Sequence, residues 1–230
     1  MDDKHRPPDT SSPFEDARRE MVARQIEQRG IRDERVLRAM RSVPRHLFVP
    51  EEYVNASYTD EPLPIGERQT ISQPFMVAAM AEALLLKGPE RVLEIGAGSG
   101  YQAAVLSRLA RDVIAIETQP ALAASARERL ARLGYENVLL EEADGSMGWW
   151  REAPYDAILV TAAAPAVPPP LVEQLADGGR LVLPVGGAEN QDLIRITKSE
   201  GRTSQESLYA CRFVPLVGRY GWQDRQTHRG

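Results

Sequence analysis

The segment Glu94-Ile95-Gly96-Ala97-Gly98-Ser99-Gly100-Tyr101 places three glycines behind an acid, where an apolar run (residues 92–95) gives way to a helical pattern. Glycines at such a turn allow positive φ and close backbone approach, and the N-terminus of the helix that follows attracts negative charge. A dinucleotide fingerprint, GxGxxG, would need a glycine at position 101, which is Tyr101. A second acid, Glu117, ends the next apolar run 17 residues after Gly100, where a carboxylate can accept from both hydroxyls of a ribose. Asp144 follows the third run and could accept from an adenine amino group. Acids at the carboxyl ends of three successive strands line one crevice, the place where open α/β sheets bind ligands. The competing reading, a glycine turn beside three solvated acids, does not account for that threefold placement.

These residues need a parallel sheet to bring them together, and the pattern predicts one. Strands are expected over residues 92–95, 113–116, 138–140, 155–160 and 180–184. Helices are expected over 75–87, 101–109, 121–133 and 171–175. Alternation at this pitch implies right-handed crossovers and a doubly wound, mostly parallel α/β sheet. The runs 193–197 and 208–213 have no helix between them, which suggests an antiparallel pair closing one edge. Upstream, residues 15–29 read as an amphipathic helix stopped by Gly30, and Asp33 caps a second helix. Residues 44–72, rich in proline and without a clean period, read as a long irregular functional segment. Residues 1–13 hold three prolines and little apolar surface and read as a disordered tail. Residues 14–230 form one domain in this reading, with a helical subdomain over 14–72 and an α/β core over 73–230.

Composition narrows the function. The chain has 230 residues, 43% hydrophobic, with a net charge of −5, which argues against a nucleic-acid footprint. One cysteine, Cys211, excludes an internal disulfide and any CxxC zinc or redox site, so no metal is expected. The longest apolar stretch, residues 75–86, contains Glu82, and no membrane span or signal run is visible. The expectation is a cytoplasmic, soluble monomer.

The glycine loop with its strand-end acids resembles the class I S-adenosylmethionine-dependent methyltransferases. A narrower resemblance runs from Met21 onward. Met21-Val22-x-x-Gln25-Ile26, Arg29-Gly30-Ile31, Val43-Pro44-Arg45-x-x-Phe48-Val49-Pro50 and Tyr58-x-Asp60-x-Pro62-Leu63-Pro64-Ile65-Gly66 are similar to the amino-terminal part of the protein-L-isoaspartate O-methyltransferase family. Gln69-Thr70-Ile71-Ser72-Gln73-Pro74, Gly100-Tyr101-Gln102-Ala103-Ala104, Asp144-Gly145, Thr161-Ala162-Ala163 and Phe213-Val214-Pro215-Leu216 follow in the family's order. Glu67-Arg68 departs from it, since a glycine or small polar residue is expected before the glutamine.

The resemblance implies methyl transfer from S-adenosyl-L-methionine to the free α-carboxylate of L-isoaspartyl residues in damaged proteins and peptides. The ester then closes to a succinimide, whose hydrolysis returns some normal aspartate. It also implies a Rossmann-like fold with an antiparallel edge strand. By the same resemblance, Gln69, Thr70 and Ile71 cover the cofactor and Ser72 presents its hydroxyl to the substrate carboxylate. Glu94, Gly96, Gly98 and Gly100 take the methionine end, Glu117 the ribose, and Asp144 with Gly145 the adenine. A carboxylate nucleophile is already ionised at neutral pH, so no general base is needed; accordingly His46 is read as a surface or structural residue. On its residues alone Ser72 reads as an N-cap for the helix after Gln73-Pro74, a role compatible with the catalytic one. Methylation of a small molecule or RNA on the same fold is the alternative, as is a non-catalytic binding module. The segment 69–74 argues against the first and the three acids against the second.

Overall fold

The computed structural model describes residues 13–187 and 189–223. Residues 1–12 of the expected tail lie outside that range, and Pro13 already opens a helix. This helix, α1 (Pro13–Glu20), runs into a π-wound stretch, Met21–Glu27, in which Gln28 N–H reaches back five residues to the Ala23 carbonyl. The change in winding keeps Met21, Val22 and Ile26 on the buried face, and Gly30 ends the run at φ 107°. Asp33 caps α2 (Glu34–Ser42) by accepting from Arg35 N–H, as expected.

The expectation of an irregular segment over residues 44–72 is corrected. It contains two 3₁₀ turns, Arg45–Phe48 and Glu51–Ala56, and an antiparallel hairpin of β1 (Leu63–Gly66) and β2 (Gln69–Ile71). The hairpin turn is Glu67-Arg68, both residues at positive φ (48° and 57°). That conformation suits a two-residue hairpin, but it normally advertises itself through Asn-Gly or Asp-Gly. With Pro62 and Pro64 beside it, the usual signal is missing.

The chain continues through α3 (Pro74–Ala83), β3 (Arg91–Ile95), α4 (Tyr101–Leu106), β4 (Asp112–Glu117), α5 (Pro120–Arg132), β5 (Val138–Glu142), β6 (Tyr155–Val160), α6 (Pro169–Glu173), β7 (Leu175–Gly186), β8 (Gln191–Ser199) and β9 (Arg202–Cys211). The large sheet has the order β5-β4-β3-β6-β7-β8-β9. Its first five strands are parallel, and β8 and β9 are the expected antiparallel pair at one edge. Strand residues alternate between two cores. Val92, Val113, Ala157 and Val182 face α3, α4 and the amino-terminal helices, while Leu93, Ile114, Ile158 and Leu181 face α6. Both faces are covered, which is why the parallel strands read as unbroken apolar runs. The chain leaves β3 toward β4 and β5, then returns to β3's other side as β6. This reversal opens a crevice between the carboxyl ends of β3 and β6. Among the described residues no helix is long and apolar enough to cross a membrane.

Candidate active site

A cleft occupies that crevice, where open α/β sheets bind ligands. Its floor is the glycine loop after β3. Gly96 sits at φ 92°, and a Cβ there would lie 2.5 Å from the Thr161 Oγ1, which itself donates to the Gly96 carbonyl at 2.6 Å. The loop is therefore pinned to the end of β6. Gly98 N–H donates to Glu117 at 2.8 Å, and the other Glu117 oxygen accepts from Thr118 and Gln119 N–H, each at 2.9 Å. One carboxylate thus ties the glycine loop to the end of β4.

The hairpin supplies the opposite wall: Gln69, Thr70, Ile71 and Ser72 all line the cleft, together with Gly96, Gly98, Glu117 and Gly145. Three expected residues lie elsewhere. Gly100 is outside the lining, packed toward Leu130 of α5. Asp144 is outside it too: its carboxylate accepts from Ser146 N–H (2.9 Å) and Oγ (2.6 Å), and from Arg219 N–H (2.8 Å), so it anchors the carboxyl-terminal segment. Glu94 lies behind the loop, fully buried, with neither carboxylate oxygen partnered among the described residues. Burial, and after it the nearby Glu117 charge, raises its pKa well above the usual carboxylate range.

A second cavity of about 450 Å³ adjoins the first, between Pro62, Gln73 and Met76 on one side and residues 210–214 on the other. Thr70, Ser72, Thr161 and Val214 line both. Ser72 is no helix cap: α3 is capped at Gln73, without a side-chain bond. The Ser72 hydroxyl has no hydrogen bond to another described residue, and it stands at the boundary between the cavities. His46 lies outside both, stacked on Phe14 with Nδ1 2.8 Å from the Tyr58 hydroxyl; burial, then Arg18, lowers its pKa. Thr118, Gln119 and Val217, none of them expected from the sequence, also line the cleft. The first two could have been found as neighbours of Glu117; Val217 carried no signal. Among the described residues no cluster of three potential ligands could hold a metal.

A glycine loop at the switch point of such a sheet, tied to an acid on the next strand, is the cofactor site of S-adenosylmethionine-dependent methyltransferases. A sequence model of the protein-L-isoaspartate(D-aspartate) O-methyltransferase family matches residues 16–221, and the chain belongs to that family. It is 56% identical over 215 residues to a protein-L-isoaspartate O-methyltransferase of Methanoregula boonei, covering 94% of this chain and 99% of the relative. It is 57% identical over 210 residues to that of Geobacter metallireducens (91% and 97%). A solved protein-L-isoaspartate O-methyltransferase superposes with a TM-score of 0.80 at 31% identity, covering 88% of this chain and 67% of the other. A Plasmodium falciparum protein assigned to the same activity, solved with S-adenosyl-L-homocysteine, gives 0.77 at 28% identity (87% and 98%).

The residues present fit that cofactor. Its ribose needs a carboxylate acceptor and its methionine end a backbone loop that lets it approach closely, and Glu117 with Gly96 and Gly98 offer both on the cleft lining. Gly145, also on the cleft lining, packs directly on Ile95, where a Cβ would lie 2.4 Å from the Ile95 side chain.

Proposed function

We propose that the protein methylates the free α-carboxylate of L-isoaspartyl residues in damaged proteins and peptides, using S-adenosyl-L-methionine held in the first cleft. The observation that carries this reading is the unpartnered Ser72 hydroxyl on the wall common to the two cavities. When bound, the cofactor supplies an electrophilic methyl group on a sulfonium. Glu117 and the glycine loop hold its ribose and methionine ends, Gln69, Thr70 and Ile71 cover it, and Gly145 borders its adenine. Asp144, set by sequence at the adenine, acts from its anchored position by holding the segment that brings Val217 to the cleft.

Ser72 donates its hydroxyl hydrogen to the substrate carboxylate and orients it toward the first cleft. A neutral donor positions this nucleophile without quenching it as a cation would. The reacting charges neutralise one another on the way to the transition state, so a pre-oriented site shielded from water suits the reaction. His46, the one histidine among the described residues, lies outside both cavities and takes no part. The single cysteine fits a reducing compartment, and we assign the reaction to the cytoplasm.

Labelled S-adenosylmethionine with matched peptides containing isoaspartate or aspartate tests the reading. Label is expected in the isoaspartyl peptide alone. Equal labelling of both, or transfer to RNA or a small molecule but neither peptide, would overturn it.

A further inference from the structure

Arg45 lines neither cavity, yet its side chain is completely buried. Its Nε donates to the Ser57 carbonyl at 2.7 Å. No carboxylate pairs with it among the described residues, and Nη1 and Nη2 have no hydrogen-bond partner there. The guanidinium instead lies over the Tyr101 ring, with Cζ 5.0 Å from the ring centre. Phe48, three residues further along the same 3₁₀ turn, meets that ring edge-on with centroids 5.5 Å apart. The Tyr101 hydroxyl is close enough to support the charge on Arg45 but makes no hydrogen bond of good geometry.

An arginine buried without a paired carboxylate is expensive; Tyr58 and Asp60 support the charge from further away, and the Tyr101 ring face is the direct contact that offsets the cost, since a desolvated cation over an aromatic ring is held more strongly than an exposed one. Tyr101 is not a neutral place to apply that force. It is the first residue of α4, follows Gly100 at φ 86° directly, and lines the cofactor cleft. Its ring therefore fixes where the glycine loop ends and the helix begins.

We propose that Arg45 is a positioning residue for the cofactor: braced on Ser57, its guanidinium clamps the Tyr101 ring beside Phe48 and so sets the junction between the glycine loop and α4. This rests on the methyltransferase reading of the cleft. It assigns a task to the Val43-Pro44-Arg45 motif, which contributes no residue to either cavity.

The test is calorimetric titration of S-adenosylhomocysteine into the parent protein, Arg45→Lys, Arg45→Met, Tyr101→Leu and the Arg45→Met/Tyr101→Leu double variant. The KM for an isoaspartyl peptide at saturating cofactor is measured alongside. Arg45→Met should weaken binding at least tenfold and Arg45→Lys, which keeps the charge but not the planar face, at least threefold. Peptide KM should move less than threefold. In the double variant, Arg45→Met should add less than threefold to the loss caused by Tyr101→Leu alone. A merely structural arginine would lower the melting temperature and leave the affinity of the folded protein unchanged. The proposal is overturned if Arg45→Lys binds within threefold of the parent, an outcome that decides even if Arg45→Met does not fold. It is equally overturned if the Arg45→Met loss multiplies in full on Tyr101→Leu. A parent protein that bound no S-adenosylhomocysteine would overturn the methyltransferase reading and this proposal with it; a binding parent with unaffected variants overturns the proposal alone.

Discussion

Ser72→Ala removes one oxygen that no other described residue uses, so its consequences separate cleanly. The hydroxyl makes no helix cap, because α3 begins after Gln73 and has no side-chain cap bond. Stability should therefore change by no more than about 0.5 kcal/mol, as for a substitution that breaks no native interaction. If the hydroxyl orients the substrate carboxylate, the variant loses a hydrogen bond to a charged group, a loss of about 1.5–3 kcal/mol. That corresponds to roughly a tenfold to hundredfold fall in kcat/KM for an isoaspartyl peptide. Affinity for S-adenosylhomocysteine should hardly move, since Glu117 and its three backbone donors are untouched. Methyl transfer at saturating cofactor and a urea melt on the same preparation give both quantities. Near-parental turnover would refute the reasoning. So would a stability loss of about 1 kcal/mol with turnover retained, the signature of a lost cap.

Glu94 gives a pH test. A carboxyl whose pKa is raised by folding keeps its proton where the unfolded chain has released it, so stability falls as pH rises from about 4.5 toward the raised value. Glu94→Gln should flatten that fall in melting temperature; parallel melting profiles for the two proteins would contradict this. Glu117→Ala should weaken S-adenosylhomocysteine binding by about 1.5–3 kcal/mol while the protein still folds, as calorimetry and a thermal melt would report. Arg68→Gly should stabilise the protein by about 0.5–1 kcal/mol in a denaturant melt, since Arg68 holds φ 57° in the hairpin turn and glycine adopts that conformation without the side-chain penalty.

The parallel strands and the glycine loop were legible because burial on both faces writes itself as apolar runs ending in Glu94, Glu117 and the turn before Asp144. The hairpin was not, because Glu67 and Arg68 adopt left-handed backbone without the glycine that signals it. The direction of a strand-end acid is equally silent in sequence. Glu117 faces the cleft, Glu94 is buried behind it, and Asp144 is taken up by the backbone of Arg219, 75 residues away. The second cavity depends on contacts between residues 62–76, Thr161 and residues 210–214, a meeting that only the folded sheet arranges. The resemblance located Ser72, but whether it caps α3 or stands free at the boundary is decided by the backbone at Gln73. Arg45 was visible only as a letter in a motif, since nothing local tells a buried arginine over a ring from an exposed one.

The most direct measurement follows the repair itself. An isoaspartyl peptide is incubated with the protein and S-adenosylmethionine, and its conversion is followed by chromatography against the authentic aspartyl peptide. The aspartyl form should accumulate only when both protein and cofactor are present, while an aspartyl peptide treated identically acquires no methyl ester. Isoaspartyl peptide that stays unchanged, or esterification of the aspartyl peptide at a comparable rate, would contradict it.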